Sequence, residues 1–429
     1  MANKKSKTIW YPLDNAAKIY PPTASEKRPH VFSFSAMIYN EVEPVVLREA
    51  VINVLQRNPT FKTKLMRGKF WYYLEENNLP VKVFREEPYY LKSIDYKRNN
   101  GYLFEVLYQE NRITANFFHA LTDGTGGFNF FSQILLEYFS LMNYDIDSEG
   151  LIKSVDVPFF FEEGDDSFLF YDKKVKNDEK NPKRPYAING TSFDYDGCGI
   201  ITGQLSISKV KELAKKHNAT ITAFLGGIYI YTIYKLYLSN KPVKNKLITM
   251  LVPCNLRKKY GGNTMRNFTM FARVSKDFST ETTLDECIRV AQQQIIEQLT
   301  TENLDKIIHS NVKTEKNPFI KIVPLTLKNA IMRIAYRKVG ENLQTCIFSN
   351  LGPVKLPDSF SKFVKHLTFS IAPTFSCRQQ FTALGYGDNI YLTFTRDYVE
   401  NSIEKEFFRT LSNLGVSVKI FSNYWESQP

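Results

Sequence analysis

A histidine, an aspartate and a glycine stand close together in the first third of the chain and could carry acid–base chemistry. His119 is followed by Asp123 and Gly124 in an H-x-x-x-D-G arrangement. A histidine has a pKa near neutrality, so it can remove a proton from a hydroxyl or an amine. In a chain of this composition the arrangement arises by chance roughly one time in a hundred. This segment is therefore the leading catalytic candidate.

The elements around the motif are predicted to hold the histidine at a junction. Residues 112–119 alternate between apolar and polar, which predicts a strand that ends at His119. After the turn at residues 123–127, apolar residues recur every three or four positions as far as Met142, which predicts a helix facing the core. The predicted order is strand, histidine loop, helix.

The aspartate and the glycine of the motif have structural roles in this interpretation. Asp123 need not contact His119; we expect it to pair with an arginine and so fix the loop. Gly124 is expected to allow the tight turn that starts the helix. The alternative for the histidine is an ordinary side chain at the end of a core strand, with no chemistry.

Length and composition predict a packed protein of two domains. The chain has 429 residues, of which 43% are hydrophobic and 14% aromatic. The charged segment 172–185 resembles a linker, so we predict a first domain over 1–180 and a second over 181–429. Strand and helix patterns alternate in both parts, which predicts α/β layers.

Charge and cysteine content restrict the class of protein. The net charge of +12 favours anionic partners, but the basic residues are spread along the chain and match no nucleic-acid-binding motif. The five cysteines include no C-x-x-C pair, so neither a disulfide framework nor a cysteine metal site is expected. These features predict a cytoplasmic protein that does not bind nucleic acid.

No secretory signal or membrane span is expected. The basic start lacks the apolar run that a secretory signal needs. The most membrane-like segment, 221–238, is interrupted by a pair of glycines and contains several tyrosines. It is predicted to be a buried core helix, which leaves no transmembrane segment.

Four further stretches, together with the histidine motif, resemble the H-x-x-x-D acyltransferase superfamily. This superfamily includes chloramphenicol acetyltransferase, alcohol acetyltransferases and the condensation domains of nonribosomal peptide synthesis. Asn58 and Lys62 depart from the R-H-x-x-L-R-T pattern of the second stretch. The stretches, in the expected order, are residues 11–21, 55–63, 252–257 with 266–268, and 349–353.

The resemblance implies a fold and a mechanism. Two chloramphenicol acetyltransferase-like subdomains, each a mixed sheet flanked by helices, would meet at a central tunnel. His119 would deprotonate the acceptor hydroxyl as its oxygen attacks a thioester, without a covalent enzyme intermediate. Asp123 would be structural, with Arg257 as the first candidate for its partner and Arg57 as the second.

The resemblance also implies further residues in the tunnel. A donor to the oxyanion of the tetrahedral intermediate is needed, and Ser349 or Asn350 is the candidate for it. Asn255, in the segment P-x-N-x-R, is a third candidate tunnel residue. The cluster 257–259 could meet coenzyme A phosphates, although a solvated basic loop is the preferred interpretation.

One branch of the superfamily fits better than the others. Condensation domains usually carry two adjacent histidines, and here Phe118 occupies the first position. The chain also contains neither a carrier domain nor the D-F-G-W-G segment of the plant enzymes. The prediction is therefore an alcohol acetyltransferase-like enzyme that transfers an acyl group from acyl-CoA, such as acetyl-CoA, to an alcohol, with no permanently bound cofactor.

Two alternatives remain open, and other chemistries are disfavoured. The chain could be a condensation-type enzyme that uses an acyl carrier protein as donor or an amine as acceptor, or it could be a non-catalytic relative. The glycines at 124–127 lack the Lys-Ser or Lys-Thr of a phosphate loop. The remaining histidines show no zinc-ligand spacing, so no metal is expected, and a G-x-S-x-G serine elbow is absent.

Overall fold

The computed structural model describes residues 8–87, 91–174, 183–194 and 197–423. The strands are β1 Trp10–Pro12, β2 Val31–Ile38, β3 Thr63–Arg67, β4 Tyr72–Glu76, β5 Val83–Arg85, β6 Phe104–Gln109, β7 Arg112–Phe118, β8 Gly199–Ser206, β9 Leu247–Asn255, β10 Thr269–Asp277, β11 Cys346–Val354, β12 Val364–Ile371, β13 Gln379–Tyr386, β14 Asn389–Arg396 and β15 Val418–Ser422. The helices are α1 Tyr20–Thr23, α2 Pro44–Arg57, α3 Gly124–Leu141, α4 Ser167–Phe170, α5 Ile207–Lys216, α6 Ile221–Ile233, α7 Arg257–Tyr260, α8 Leu284–Gln298, α9 Thr301–Lys316, α10 Pro318–Ile322, α11 Leu325–Ala335, α12 Asp358–Ser361 and α13 Ser402–Asn413.

The first half of the chain is built on a mixed five-stranded sheet. Its order is β12-β2-β7-β6-β5, and only the β5–β6 pair is parallel among the pairs described. The helices α2 and α3 pack together beside it. Phenylalanine rings fill the space between sheet and helices, with Phe34 stacked on Phe131 and on Phe369. Because these rings are large and buried, they give this half a continuous apolar core.

The second half is built on a mixed seven-stranded sheet. Its order is β10-β9-β11-β13-β14-β8-β15, with parallel pairing of β11 to β9 and to β13. The helices α6, α8 and α13 pack beside this sheet. The predicted class, α/β with two mixed sheets flanked by helices, is therefore confirmed.

The most apolar helix of the chain lies inside the second half. Among the described residues one helical segment, Ile221–Leu238, is long and apolar enough to cross a membrane, and 67% of it is buried in the protein. It consists of α6 and a π-helical turn, Tyr234–Leu238. Its side chains belong to the core of the second half, which agrees with the predicted core helix.

Two segments from late in the chain join the first half. The strand β12 pairs with β2 along its whole length, so residues 364–371 belong to the first sheet. The helix α11 lies against the small sheet β1-β4-β3. A division of the chain at 180/181 would assign both β12 and α11 to the second domain, whereas they pack with the first half. The predicted boundary itself lies outside the described residues.

The edge of the second sheet at β10 is covered by side-chain amides. Gln298 of α8 accepts from the backbone N–H of Arg273 and donates to its carbonyl oxygen. Gln294, one turn earlier, makes the same two bonds with Ser275. The two glutamines satisfy backbone groups that an open edge would expose, and so they fix α8 relative to the strand.

The predicted strand, histidine loop and helix are present as β7, residues 119–123 and α3. Gly124 was predicted to allow a tight turn before the helix, and the structure gives a different reason for the glycines at this position. Gly124 does not have a positive φ, and a Cβ there would only meet Leu351 and Phe369 at ordinary contact distance. A Cβ on Gly126 would lie 2.1 Å from the carbonyl oxygen of Met265, and a Cβ on Gly127 would lie 2.7 Å from the Phe32 ring, so close packing requires glycine at both positions.

Candidate active site

His119 follows the last residue of β7, and three neighbours fix it there. Its backbone N–H donates to the carbonyl oxygen of His30 over 2.8 Å. The Tyr20 ring stacks on the imidazole with centroids 4.8 Å apart and planes 15° apart. The Phe32 ring contacts the imidazole at 4.9 Å. The imidazole is thus held between aromatic rings and lines a cavity.

Hydrogen bonds to Asn267 define which imidazole nitrogen is free. The Asn267 Nδ2 group donates to Asp14 Oδ2 over 3.1 Å and to the His119 carbonyl oxygen over 3.1 Å. Since these two bonds orient the amide, its Oδ1 must be the acceptor that lies 3.3 Å from His119 Nδ1. His119 Nδ1 therefore carries the proton, and Nε2 keeps a lone pair for base chemistry.

Asp14 is the buried carboxylate behind Asn267. It is fully buried and accepts from the backbone N–H of Ala17 over 2.7 Å and of Asn267 over 3.3 Å. Arg266 lies 3.5 Å from its Oδ2. These contacts position Asp14 so that Asn267 connects it to the imidazole.

Burial controls the protonation of both histidines near the cavity. It lowers the pKa of His119, while the negative charge of Asp123 and the bond to Asn267 act in the opposite direction. Burial, with smaller contributions from the neighbouring His119 and Arg28, lowers the pKa of His30 to about 3. Both rings are therefore neutral near pH 7, which is the state that a general base requires.

Asp123 anchors the loop and does not contact the imidazole. Its Oδ1 accepts from the Gly126 N–H over 3.0 Å and caps α3. Its Oδ2 accepts from Arg257 Nη1, from the Phe268 N–H and from Thr269 Oγ1 over 2.8, 2.8 and 2.9 Å. Burial alone would raise the pKa of Asp123, but the Arg257 guanidinium and these donors hold it below its usual value.

Arg257 is the arginine that pairs with Asp123, as the sequence predicted. Its Nε donates to the Thr264 carbonyl oxygen over 2.9 Å, so the guanidinium is also held by the loop before β10. Arg57, the second candidate, is not near Asp123. It forms a two-point pair with Glu163, over 2.6 and 2.9 Å, and both of these side chains are buried at the end of α2.

A cavity of about 890 Å³ separates the two halves beside His119. Residues of the first half, including His119, Gly124 and Thr125, form one wall. Strands β9, β10 and β11 of the second half form the other. The three candidate tunnel residues, Asn255, Ser349 and Asn350, all lie on this second wall.

The side chains of these three residues differ in the hydrogen bonds that they make within the protein. Asn255 Nδ2 donates to Thr125 Oγ1 over 3.0 Å. Asn350 Nδ2 donates to Thr222 Oγ1 over 3.0 Å, and its Oδ1 accepts from the backbone of Gly352. Ser349 Oγ makes no hydrogen bond with any described residue, whereas each of the two amides is held by one hydrogen bond from its Nδ2 and keeps a second N–H.

Sequence reasoning did not assign roles to Asp14, Tyr20, His30 or Asn267. Three of them, Asp14, Tyr20 and Asn267, lie inside stretches that carried the resemblance, which was the available signal. Their contacts with His119 join distant parts of the chain. Such pairing has no periodicity or spacing that a single sequence displays.

A cation in the cavity was also missed. Arg273 lies on the same face of β10 as Thr269 and Phe271, since alternate residues of a strand share a face. Its Nη1 donates to the carbonyl oxygen of Leu343, and no described carboxylate forms an ion pair with it. Burial lowers its pKa. Arg273 thus offers an uncompensated positive charge to whatever occupies the cavity.

Other chemistries find little support among the described residues. No group of three or more His, Cys, Asp or Glu side chains could hold a metal ion there. Cys254 lines the cavity, but burial raises its thiol pKa, which disfavours the nucleophilic thiolate. The solvated loop predicted over 257–259 is instead the first part of the short helix α7, and Arg257 is turned inward to Asp123. Lys258 and Lys259 are exposed, and both line the cavity.

No protein-family model and no curated protein sequence matches this chain. Solved structures do match. Polyketide synthase associated protein 5 from Mycobacterium tuberculosis is 13% identical, with a TM-score of 0.56 over 93% of this chain and 96% of that one. The condensation domain of the Monacolin K polyketide synthase MokA is 12% identical, with a TM-score of 0.55 over 95% and 97%.

A third similar structure is the starter condensation domain of the rhizomide synthetase RzmA, a double mutant in complex with C8-CoA and Leu-SNAC. It is 10% identical, with a TM-score of 0.58 over 94% of both chains. At such identities the similarity concerns the fold, and it extends over nearly the whole chain. The protein therefore has the condensation-domain fold of two chloramphenicol acetyltransferase-like subdomains.

Proposed function

We propose that this protein is an acyltransferase that moves an acyl group from a thioester to an acceptor in the central cavity, with His119 as general base. The observation that carries the proposal is the state of the imidazole. Asn267 holds the proton on Nδ1, and burial keeps the ring neutral, so Nε2 has a lone pair beside the cavity. A strand-end histidine with no catalytic role would not need a defined tautomer facing open space.

The proposed reaction balances with one proton transfer in each direction. Nε2 takes the proton from the acceptor hydroxyl while the acceptor oxygen forms a bond to the thioester carbonyl carbon. The tetrahedral intermediate then breaks its C–S bond, and the thiolate takes the proton back from Nε2. The products are an ester and a free thiol, and the enzyme returns to its starting state.

The contacts of His119 favour this cycle. When Nε2 takes up the proton, the imidazolium keeps its bond from Nδ1 to Asn267, and the charges of Asp123 and Asp14 stabilise it. The oxyanion needs a donor, and Ser349 supplies an uncommitted hydroxyl on the opposite wall. We therefore assign the oxyanion role to Ser349 in preference to Asn350.

In its finer form, the proposal is an acyl-CoA-dependent O-acyltransferase that acts in the cytoplasm on an alcohol. The single histidine, with Phe118 before it, supports this form. Lys258 and Lys259 also support it, because they put two positive charges at the edge of the cavity where phosphates of coenzyme A would be attracted. Arg273 supplies a further cation inside the cavity for an anionic part of either substrate.

A second candidate is a condensation-type reaction with a carrier-bound thioester or an amine acceptor. The observation in its favour is the fold similarity, since several of the similar structures are condensation domains. The same histidine would serve, because Nε2 can take a proton from an amine as it attacks. The two candidates differ in donor and acceptor and share the cavity.

The experiment that tests both candidates is thiol release. Wild type is incubated with acetyl-CoA or longer acyl-CoAs and a panel of alcohols and amines, and free thiol is followed with a chromogenic disulfide. We expect acceptor-dependent release that falls about 10²–10⁴-fold in His119→Ala. His217→Ala is the matched control, since His217 pairs with Asp285 outside the cavity and should keep full activity.

Each result has a defined meaning. Full activity in a folded His119→Ala variant would exclude the proposed base. Transfer from an acyl-loaded carrier protein and not from acyl-CoA would replace the first candidate by the second. Absence of thiol release with every donor and acceptor would favour the alternative of a non-catalytic protein.

A further inference from the structure

The helix α11 presents three large apolar side chains to solvent and two polar ones to the protein. Leu327, Ile331 and Ile334 recur at helical spacing and are 56%, 54% and 58% exposed. Lys328 and Asn329, on the opposite side, are only 4% and 6% exposed. A surface helix of a globular protein normally has the reverse arrangement, because burial of apolar area drives its packing.

Specific contacts fix the helix in this orientation. Lys328 Nζ donates to the Phe70 carbonyl oxygen over 2.9 Å and lies 3.5 Å from the centre of the Trp71 ring. Asn329 Nδ2 donates to the Tyr72 hydroxyl over 2.9 Å. Both inward polar residues thus bind the β3–β4 hairpin, although Asn329 Oδ1 is buried without a hydrogen-bond partner among the described residues. The outward apolar face therefore does not result from a loosely held helix.

The neighbouring helix extends the apolar surface. In α10, Phe319 and Ile322 are 78% and 67% exposed. Residues 316–340 also contain six basic residues and no acidic one. Several exposed apolar side chains on successive helices, accompanied by charge of one sign, mark an interaction site. Of the six basic residues, Lys328 is buried and Lys316 pairs with Asp172. The α10–α11 surface is defined here as Phe319, Ile322, Leu327, Ile331 and Ile334 with the exposed basic residues Lys321, Arg333, Arg337 and Lys338.

We propose that the α10–α11 surface docks onto a membrane that contains anionic lipids. An interfacial helix lies in the membrane plane with its apolar face among the acyl chains and its basic residues at the headgroups. Anionic headgroups attract each nearby lysine or arginine, and here exposed basic residues precede the α11 stripe at Lys321 and follow it at Arg337 and Lys338. Charge complementarity and the protruding apolar side chains together favour a lipid surface over a folded protein partner.

The α10–α11 surface is followed directly in the chain by residues that line the cavity. The turn Tyr336–Gly340 directly follows α11, and Tyr336 and Gly340 line the central cavity. Arg337 and Phe375 line an open cleft on the same side. Docking would therefore bring the cavity close to the lipid phase, so that an apolar substrate could enter without crossing water. The docking itself does not depend on the proposed chemistry.

Vesicle co-sedimentation tests the proposal. Wild type is mixed with vesicles of pure phosphatidylcholine or of phosphatidylcholine with about one third phosphatidylglycerol, and the bound fraction is measured. We expect at least ten-fold tighter binding to the anionic vesicles, weakened by added salt because the attraction is screened. The triple variant L327S/I331S/I334S should lose at least ten-fold of this binding, and R337Q/K338Q should lose part of it.

Matched variants separate the proposal from its alternatives. F161S/F170S removes two side chains that are 82% and 81% exposed elsewhere, and it should bind as wild type does. His119→Ala should also bind normally, so failure of the proposed chemistry would not affect the result. The proposal is overturned if neither vesicle binds, if the α11 triple variant binds normally while thermal unfolding shows it folded, or if F161S/F170S is equally impaired. It is also overturned if the surface binds an acidic acyl carrier protein and no vesicle.

Discussion

Two buried aspartates lie near His119, and the structure gives them different contacts. Asp123, in the motif, accepts from Arg257, from α3 and from the start of β10, and it makes no hydrogen bond to the imidazole among the described contacts. Asp14, far from the motif in sequence, reaches the imidazole through the amide of Asn267. The carboxylate closer in sequence holds the loop, and the more distant one acts on the ring.

Of the two aspartates, one stabilises the fold of the site and the other influences the protonation of the imidazole. Asp123 belongs to the first half and Arg257 to the second, so their ion pair joins the two walls of the cavity. The chain from Asp14 through Asn267 to His119 sets the tautomer of the base. Substitutions at the two aspartates should therefore change different properties, stability for Asp123 and ring chemistry for the path through Asn267.

The largest effect on stability is expected from Asp123→Ala. It leaves the Arg257 guanidinium, whose side chain is 9% exposed, without its counter-ion, and it removes the cap of α3. Breaking a buried pair in this way costs about 3–5 kcal/mol of unfolding free energy. Denaturant unfolding followed by tryptophan fluorescence measures the change.

A surface pair provides the control for Asp123→Ala. Glu302 lies in the i, i+4 pair with Lys306 and has a side chain 75% exposed, so Glu302→Ala should change stability by no more than about 0.5 kcal/mol. Wild-type stability in Asp123→Ala combined with lost activity would reverse the comparison, since it would make Asp123 a partner of the ring.

The sequence predicted those parts of the fold and site that are local. The strand, loop and helix around His119 follow from alternation and helical spacing over about thirty residues. The Asp123–Arg257 pair was also anticipated, because a buried carboxylate requires a cation and the resemblance supplied one. The same reasoning gave Arg57 as a second partner, and the structure assigns it to Glu163.

The remaining features depend on contacts between distant segments. No pattern within β12 indicates that it pairs with β2 of the other half. The bond between Asp14 and Asn267 spans 253 positions, so spacing could not reveal it. In α11 the spacing of Leu327, Ile331 and Ile334 identifies an apolar face, yet periodicity alone would place that face inward. Only the contacts of Lys328 and Asn329 show that it points outward.

The second prediction concerns Asn267→Ala, which removes the amide that holds His119 Nδ1. Without it the ring can adopt the wrong tautomer, and we expect kcat to fall about 10–100-fold, which is less than the about 10²–10⁴-fold loss expected when the base itself is removed. The bond to Asn267 raises the pKa of His119. Its loss should lower that pKa, so the acidic limb of the pH–rate profile should move to lower pH.

The matched control for this shift is Asn255→Ala. Asn255 also carries an amide in the cavity, but it contacts Thr125 and Arg257 rather than the imidazole. Its removal should leave the acidic limb in place. A limb that stays fixed in Asn267→Ala, or moves equally in Asn255→Ala, would show that Asn267 has only a structural role.

The smallest effect is expected from substitution of His30, and it concerns how the free energy of unfolding depends on pH. Burial holds its pKa at about 3, below the ordinary 6.5 that the unfolded chain has. Below pH 6.5 the unfolded state binds a proton that the folded state does not, so stability falls as pH drops from 6.5 towards 3. For one such histidine the loss is about 1.4 kcal/mol at pH 5.5.

The variant His30→Gln should remove this part of the pH dependence. The comparison is between the change in unfolding free energy from pH 7 to pH 5.5 in the two proteins, so any constant cost of the substitution cancels. Asp123 has a lowered pKa, so the stability it provides is present above 3.8 and is lost only as pH falls through its still lower folded value. An equal change in wild type and His30→Gln would assign the acid sensitivity to other groups. A smaller change in His30→Gln would place it at the buried ring behind His119, in a pH range where the Asp123–Arg257 pair is intact.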